Sequence, residues 1–546
     1  MSYCGEPLAR QPIGRLAFAI FLVYLLSSSW RFPLGGDGRA TLATSLSLVT
    51  RQTLAIDPQF ASDEGYTPRA KIGVDGRAYA KAGVGLPIVE MPFVALALGV
   101  SRVTAVPEQQ ALAAVLSLLN PLLMACTIIA VFRLARSIDC PPPVAMSLAV
   151  AYSLGTLAWV YAGVDGTEPL QALCLAGALL FVLNHRSERL ESSFAAGGIA
   201  LTCAVITKPA NAVLVPAFVV YVIAVLRSRR IDRGEAARIL TCVIAPLVAG
   251  CVFLVWLNWI RFGSVLETGY EQDAFRNPFF RGVYGLVFSV NKGVIFYSPP
   301  VLLAPVGIWL MMRTHRREAT LIVLAGVSYV SLFAKYDVWG AGWAFGPRYL
   351  VPLIPLLMLP VARAMAAARI CRYQGIALFA AGVVVNGLGV LVDGDAYHSA
   401  IMNIDLARET GFVQISSAQY PGQLINVPVP PEDLLPRFSE IAGKFWLARV
   451  ACDRCWCDER TAQCGCRGGA MESNPTFSSP PWAARYPDAR PRPPYGSRLI
   501  NPWIANRIHE LNQTACAISR PSGLAPRPSR EPGRRGSSFT SAETCP

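Results

Sequence analysis

Residues 239–259 read ILTCVIAPLVAGCVFLVWLNW and contain no charged side chain. About 20 apolar residues span the hydrocarbon core of a bilayer, where the backbone must bond to itself as a helix or a closed barrel. The apolar residues here are continuous and do not alternate with polar ones, which favours a helix over a barrel strand. This stretch therefore predicts a transmembrane helix.

Similar apolar segments recur through the first 392 residues. Of the 546 residues, 53% are hydrophobic and 15% are charged, whereas soluble domains carry about 25% charged residues. This composition excludes a soluble globule, a disordered chain and a coiled coil. We predict an all-α polytopic membrane protein with about eleven spans. The other predicted spans are 14–31, 111–132, 143–161, 169–184, 193–207, 210–226, 298–312, 319–335, 349–367 and 375–392.

The segment 85–103, GLPIVEMPFVALALGVSRV, is ambiguous because it contains Pro87, Glu90 and Pro92. Lys and Arg concentrate in cytoplasmic loops. If 85–103 lies in the membrane plane, all the basic clusters fall on one side; if it crosses, the later ones fall outside. The clusters lie at 10–15, 133–136, 186–189, 227–238, 313–317 and 363–372. We therefore predict an in-plane helix at 85–103, a cytoplasmic N-terminus and an outer C-terminal tail, with a surface helix at about 39–54.

The net charge of +14, from 49 basic and 35 acidic residues, is attributed to these cytoplasmic loops. We therefore predict a plasma-membrane protein with no nucleic-acid partner.

Two carboxylates, Asp37 and Glu168, are predicted at outer helix ends. Charged groups near the hydrocarbon cost about 2.5–3.5 kcal/mol each, so they often mark functional sites. Two carboxylates on one side of a bundle could share a site, one as a base and the other holding a cation or substrate. The alternative is helix capping, since Asp37 lies between glycines and Glu168 precedes Pro169. The sequence leaves both interpretations open.

Basic and aromatic side chains are predicted at the same face. Cations there could bind a phosphate head group, or they could be interfacial side chains that extend to the headgroup region. The predicted phosphate-binding residues are Lys81, Lys208, Lys292 and Arg348. The predicted substrate-pocket aromatics are Tyr270, Tyr336, Trp343 and Tyr349. These aromatics could stack on a sugar or form an interfacial belt.

Five motifs follow one another along the chain: GGDGRATLATSLSL (35–48), DGRAYAKAGVGLPIVEMPFVAL (75–96), TEPLQALCLAGALL (167–180), FSVNKGVIFYSPPVLLAPVG (288–307) and GWAFGPRYLVPLIPLL (342–357). Their order resembles the GT-C superfamily of integral-membrane glycosyltransferases, in particular the bacterial mannosyltransferase and aminoarabinose-transferase-like proteins. The resemblance covers most of residues 14–392. The chain departs from the family pattern in two places. Gly38 stands where a second acid often follows Asp37, and the usual Lys-Tyr-x-Pro-Gly run is replaced by Lys81 to Gly85.

The resemblance implies sugar transfer from a polyprenyl-phosphate donor to an acceptor on the outer face, with inversion. Asp37 would activate the acceptor hydroxyl, while Lys292 and Arg348 would hold the leaving phosphate. Glu168 could ligate a divalent cation, and the metal is left open. The acceptor, whether polysaccharide, lipid or protein, is not identified by the sequence.

The tail divides into a cysteine-containing segment, 393–475, and a segment rich in Pro, Arg and Ser, 476–546. Five cysteines lie in CDRCWCDERTAQCGC (452–466). On the outer side we favour disulfides, with a zinc site as the alternative.

Two other functions remain open from sequence. One is a transporter or flippase of lipid-linked substrates, although no internal repeat is evident. The other is an assembly factor with a cysteine-rich tail.

Overall fold

The computed structural model describes residues 12–28, 36–57, 70–81, 83–183, 190–269, 275–342 and 344–391. All of these residues belong to one compact unit, which lies within Met1–Cys457. The predicted tail, Tyr270 and Trp343 lie outside the described residues, so the tail boundaries and the cysteine chemistry stay predictions.

The described residues are almost entirely helical. The helices are α1 (Pro12–Ser27), α2 (Gly36–Arg51), α3 (Gly85–Val103), α4 (Glu108–Leu116), α5 (Leu119–Ser137), α6 (Pro142–Gly155), α7 (Ala158–Ala162), α8 (Glu168–Leu183), α9 (Leu190–Thr207), α10 (Val215–Ser228), α11 (Arg233–Phe262), α12 (Phe279–Val287), α13 (Val294–Tyr297), α14 (Ala304–Thr314), α15 (Arg316–Lys335), α16 (Ile354–Ala367) and α17 (Arg369–Leu391). Short 3-10 helices cover Pro209–Leu214, Pro299–Leu303 and Arg348–Leu353.

The helical polytopic class is confirmed, and every predicted span falls on one or more helices. Among the described residues, eight helices are long and apolar enough to cross a membrane, and three shorter apolar helices are α1, α6 and α8. The predicted span 298–312 is divided between a 3-10 helix and α14. Eleven crossings therefore remain a prediction.

The helix α3 forms where the sequence places it. It packs against α2 and α4, and Val94 and Ala97 are fully buried in this contact region. Because α3 is 19 residues long and apolar enough to cross, its in-plane orientation remains a prediction.

A small antiparallel sheet, which the sequence analysis did not predict, lies between α2 and α3. Its strands are β1 (Ala55–Ile56), β2 (Ala70–Ile72) and β3 (Ala78–Ala80), in the order β1-β3-β2. The sheet joins the segment that follows α2 to the segment that precedes Lys81, because Ile56 pairs with Ala78 and Ala70 pairs with Ala80.

Basic residues gather at one end of the bundle. The helix α10 ends after Arg227, whereas α11, α15 and α17 begin at arginines. At this end Nε2 of His315 lies 3.8 Å from Oδ2 of Asp139, and an ion pair of 3.8 Å joins Arg238 to Glu191. Lys208 and Arg348 lie at the other ends of their helices, so the two ends of the bundle differ in chemistry.

Close helix packing generates a stability prediction at Gly307. A Cβ at Gly307 in α14 would lie 1.8 Å from the carbonyl oxygen of Pro360 in α16. Overpacking a tight contact costs about 1–3 kcal/mol. We expect G307A to lower the thermal unfolding midpoint of the purified protein in detergent.

The matched control is Gly326, a helical glycine with no atom within 4 Å of its added Cβ. The variant G326A should be neutral or stabilising by up to about 1 kcal/mol, because Ala favours helix. Equal midpoints for G307A and G326A would contradict the packing described here.

Candidate active site

Three helix starts meet at the guanidinium group of Arg348. Arg348 donates from Nε to Oε1 of Glu168 at 2.7 Å and from Nη2 to Oε2 at 3.4 Å. The same Nη2 lies 3.0 Å from Oδ2 of Asp37. Asp37 is in the first turn of α2 and Glu168 begins α8, where the helix dipole favours negative charge. The two predicted carboxylates therefore share one cation.

The two carboxylates differ in accessibility. The Glu168 side chain is 1% exposed, whereas the Asp37 side chain is 30% exposed. Glu168 makes both contacts of a bidentate pair, which is the stronger and more directional arrangement. Glu168 can therefore anchor Arg348, while Asp37 remains accessible to a substrate.

Two glycines make this convergence sterically feasible. A Cβ at Gly166 would lie 2.4 Å from Oε2 of Glu168, and a Cβ at Gly38 would lie 2.7 Å from the Cβ of Asp165. The turn 163–167 therefore packs directly on the start of α2. This contact gives a physical reason for Gly38: a second acid after Asp37 would collide with Asp165.

A chain of buried polar side chains supports the site. The Tyr329 hydroxyl donates to Oδ1 of Asn211 at 2.9 Å, and Nδ2 of Asn211 donates to Oε1 of Gln171 at 3.0 Å. The amide of Gln171 donates to the Thr167 hydroxyl at 2.8 Å. Because Thr167 precedes Glu168, this series of hydrogen bonds connects α15 and the 3-10 helix 209–214 to the start of α8.

Lys208 lies over two stacked rings. Its Nζ is 4.5 Å from the ring centroid of Tyr349 and 5.8 Å from that of Phe333, and the rings are 4.5 Å apart. Burial lowers the pKa of Lys208, while the Glu168 carboxylate opposes this shift. Lys208 is thus close enough to the ion pair to feel its charge.

Lys292 is 2% exposed, and its ammonium group bonds to backbone carbonyl oxygens. Its ammonium donates to the carbonyl of Gly342 at 3.1 Å and to that of Ala344. Burial, with a smaller effect from the Arg348 charge, lowers the pKa of Lys292 to about 7. These bonds fix the segment leading into Arg348.

The other predicted residues lie around this centre or elsewhere. Tyr336 packs edge-on to Tyr349 with centroids 5.8 Å apart. Lys81 lies against Gly269, and its charge acts on Glu267. The structure brings together Asp37, Glu168, Arg348, Lys208 and Tyr349; the substrate-binding roles assigned to them remain predictions.

The described residues contain no group of three or more His, Cys, Asp or Glu side chains that could hold a metal ion. Both oxygens of Glu168 accept from Arg348. The two carboxylates predicted to share a site therefore share a guanidinium in this arrangement.

Several site residues were missed in the sequence. The sequence analysis did not select Asp165, which packs on Gly38. Gln171 and Asn211 are fully buried polar side chains at or near the ends of apolar helices. Their polarity in such positions is a signal that sequence reasoning could have used.

No protein-family model matches the sequence, and no curated protein matches it significantly. Eleven chains of solved structures show similarity, and three examples at low identity follow. ArnT from Cupriavidus metallidurans in the apo state has a TM-score of 0.47 and 17% identity, covering 79% of this chain and 74% of that chain. The same protein bound to undecaprenyl phosphate has a TM-score of 0.45 and 16% identity, covering 79% of this chain and 75% of that chain. The Archaeoglobus fulgidus oligosaccharyltransferase in the apo form has a TM-score of 0.42 and 11% identity, covering 76% of this chain and 61% of that chain. At these identities the similarity concerns the course of the chain and assigns no residue role.

The shared ion pair generates a stability prediction. E168Q would leave Arg348 with one charged partner in place of two, and breaking a buried pair from one side costs about 3–5 kcal/mol. D37N removes a partly exposed partner and should cost about 1 kcal/mol or less. We expect the thermal unfolding midpoint in detergent to fall more for E168Q than for D37N.

The control is D57N, which removes an exposed ion pair with Arg51. The double variant E168Q/R348Q should recover part of the E168Q loss, because it removes the guanidinium that has lost its buried partner. An E168Q midpoint no lower than that of D57N would contradict the anchoring role.

Proposed function

We propose that the protein transfers a sugar from a polyprenyl-phosphate-linked donor to an acceptor at the outer face of the cytoplasmic membrane, with inversion at the sugar. The observation that carries this proposal is the convergence of Asp37 and Glu168 on Arg348. Lys208 and stacked aromatic rings lie beside them. This combination offers an accessible carboxylate, a fixed cation and a flat apolar surface in one place.

Asp37 is proposed as the base. Its accessible carboxylate would take the proton from the acceptor hydroxyl as that oxygen bonds to the anomeric carbon. The bond from this carbon to the phosphate oxygen breaks on the opposite face, and the polyprenyl phosphate leaves with the electron pair. Arg348 would hold Asp37 in orientation throughout.

Lys208 is proposed as the main partner of the leaving phosphate. Within the described residues it makes cation–π contacts and no ion pair, whereas Arg348 is bound to two carboxylates. Fixed positive charge in a site of low water content stabilises a developing oxyanion strongly. Lys292 would contribute by fixing the segment before Arg348 and by its charge, and Lys81 would contact the donor from the end of β3.

The outer face is proposed from charge. The arginine-rich ends of α10, α11, α15 and α17 would face the cytoplasm, which places Lys208 and Arg348 outside. This arrangement leaves the charged groups at helix ends. A transporter, by contrast, would place them near the membrane midplane.

The activity prediction concerns Asp37. Removing a general base lowers turnover by about 10²–10⁴-fold, so D37N should lose transfer by that factor while remaining folded. The assay incubates purified protein in lipid nanodiscs with a panel of polyprenyl-phosphate sugars and envelope lipids, and it measures released polyprenyl phosphate together with the labelled product.

The matched control is D75N, which changes an exposed carboxylate in the turn before β3 and should transfer normally. The anomeric configuration of the product tests inversion directly. Equal turnover by wild type, D37N and D75N would refute the base assignment. Donor movement across vesicles without bond cleavage would favour the flippase alternative.

The donor-binding prediction concerns Lys208. Losing a charge-assisted contact of about 1.5–3 kcal/mol corresponds to a roughly 10–100-fold rise in the KM for the donor. K208M should therefore weaken donor binding more than it slows turnover at saturating donor concentration. The control is K335M at the exposed end of α15. An unchanged donor KM in K208M would contradict phosphate binding by Lys208.

A further inference from the structure

The hairpin of β2 and β3 (residues 70–80) carries apolar side chains that the proposed transfer does not use. Among the described residues, Ile72 and Val74 in the hairpin are 62% and 67% exposed, and Leu266 after α11 is 86% exposed. Single exposed apolar residues are common on proteins, whereas a group of them marks a surface that binds a protein or a membrane. We call Ile72, Val74, Val265 and Leu266 the apolar patch.

The hairpin is bound to the end of α11. The backbone amide of Val74 donates to the carbonyl of Arg261 at 3.0 Å. Nζ of Lys71 lies 3.0 Å from Oε2 of Glu267, which follows Leu266 in the chain. These two contacts hold the hairpin beside the segment after α11, so the exposed residues of both segments form one surface.

The helix α11 determines the depth of this surface in a bilayer. The predicted span, 239–259, has the length that crosses the hydrocarbon core. The helix ends at Phe262, three residues or about 4.5 Å further along its axis. The headgroup region on each side of the core is about 5–7 Å thick. The end of α11, with the hairpin bound to it, therefore falls within the headgroup region.

A lipid-facing surface of α11 leads to the apolar patch. Residues three, four, seven and eight apart share one face of a helix. One such face of α11 is formed by exposed residues, namely Val248, Val252, Val255, Trp256 and Trp259. The two tryptophans lie near the end of the span, where such rings anchor helices at the membrane interface. This face is therefore expected to contact lipid along its length.

Val74 continues this face beyond the helix. The next position on the face after Trp259 is Gly263, four residues later. A Cβ at Gly263 would lie 2.8 Å from Cγ1 of Val74, so the Val74 side chain occupies the space beside the glycine. Continuity with the lipid-facing surface favours a bilayer as the partner over a second protein.

The tip of the hairpin is a hydrogen-bonded turn. The amide of Gly73 donates to the carbonyl of Arg77 at 2.8 Å, and the amide of Gly76 donates to the carbonyl of Gly73 at 3.1 Å. Asp75 accepts from the Arg77 amide at 3.0 Å and from the Tyr79 hydroxyl at 2.7 Å. A turn that satisfies its own polar groups can enter a region of low water content at small cost.

We propose that the apolar patch inserts into the headgroup region of the bilayer at the end of α11, with the phospholipid surface as its partner. The insertion would hold the hairpin at the membrane surface, together with Lys81, which follows β3. The inference rests on the membrane span of α11 and not on the proposed transfer.

The test uses the wild-type protein in nanodiscs that contain a phospholipid with a photoreactive diazirine at the glycerol end of one acyl chain. After irradiation, mass spectrometry assigns the lipid adducts to peptides, without donor or acceptor. We expect adducts on residues 70–80, on 263–267 and on the lipid-facing residues 252–259. Asp232, seven residues before the span at the other end of α11, should carry none.

A variant and a second probe complete the test. V74N/L266N makes the patch polar and should lose the adducts on 70–80 while keeping those on 252–259. In a second experiment, p-benzoylphenylalanine replaces Ile72 and should crosslink to phospholipid.

Absence of adducts on 70–80 in the wild type, with labelling of 252–259, would overturn the proposal. So would unchanged labelling of 70–80 in V74N/L266N. A crosslink from position 72 to residues 393–546 or to a second copy of the chain would also overturn it, because protein would then cover the patch. The lipid adducts are measured without transfer, so a failure of the proposed function would leave this result unchanged.

Discussion

The pairing of Arg348 with Glu168 and Asp37 is the interaction on which the site depends. A guanidinium 21% exposed at a helix end needs charged partners, because desolvation disfavours an isolated ion. Glu168 provides two contacts from a fully enclosed position, and Asp37 provides one from a partly open position. The fold therefore joins three separate segments of the chain through one residue. This arrangement leaves the Asp37 carboxylate accessible.

The surrounding structure restricts this pairing to one geometry. Gly38 and Gly166 allow the first turn of α2 and the turn 163–167 to approach without side chains between them. The hydrogen bonds that run from Tyr329 through Asn211 to Gln171 hold the start of α8 in place. Buried hydrogen-bond networks of this kind specify a unique arrangement when every member is satisfied. Rigid support of this sort is what precise placement of reacting groups requires.

The sequence predicts the helices well because the bilayer imposes one period and one length on apolar segments. It also selects Asp37, Glu168, Lys208 and Arg348 as candidates, since charge near hydrocarbon is rare. It does not predict their pairing: Arg348 lies 180 residues from Glu168, and local pattern carries no information on which helix ends meet. The same limit explains why Asp165 was missed, because its contact with Gly38 exists only after packing. The three-stranded sheet was missed because its strands have two or three residues.

Charge balance explains why such a centre suits an anionic ligand. Asp37 and Glu168 carry two negative charges, and Arg348 with Lys208 carries two positive ones. Lys292 adds a third positive charge only in part near neutrality, because burial lowers its pKa to about 7. A phosphodiester brings one negative charge, and its approach would favour protonated Lys292 by electrostatic attraction. The net charge of these five groups and the proposed donor phosphate would then be zero, so Lys292, which bonds to backbone, could also adjust the charge of the site.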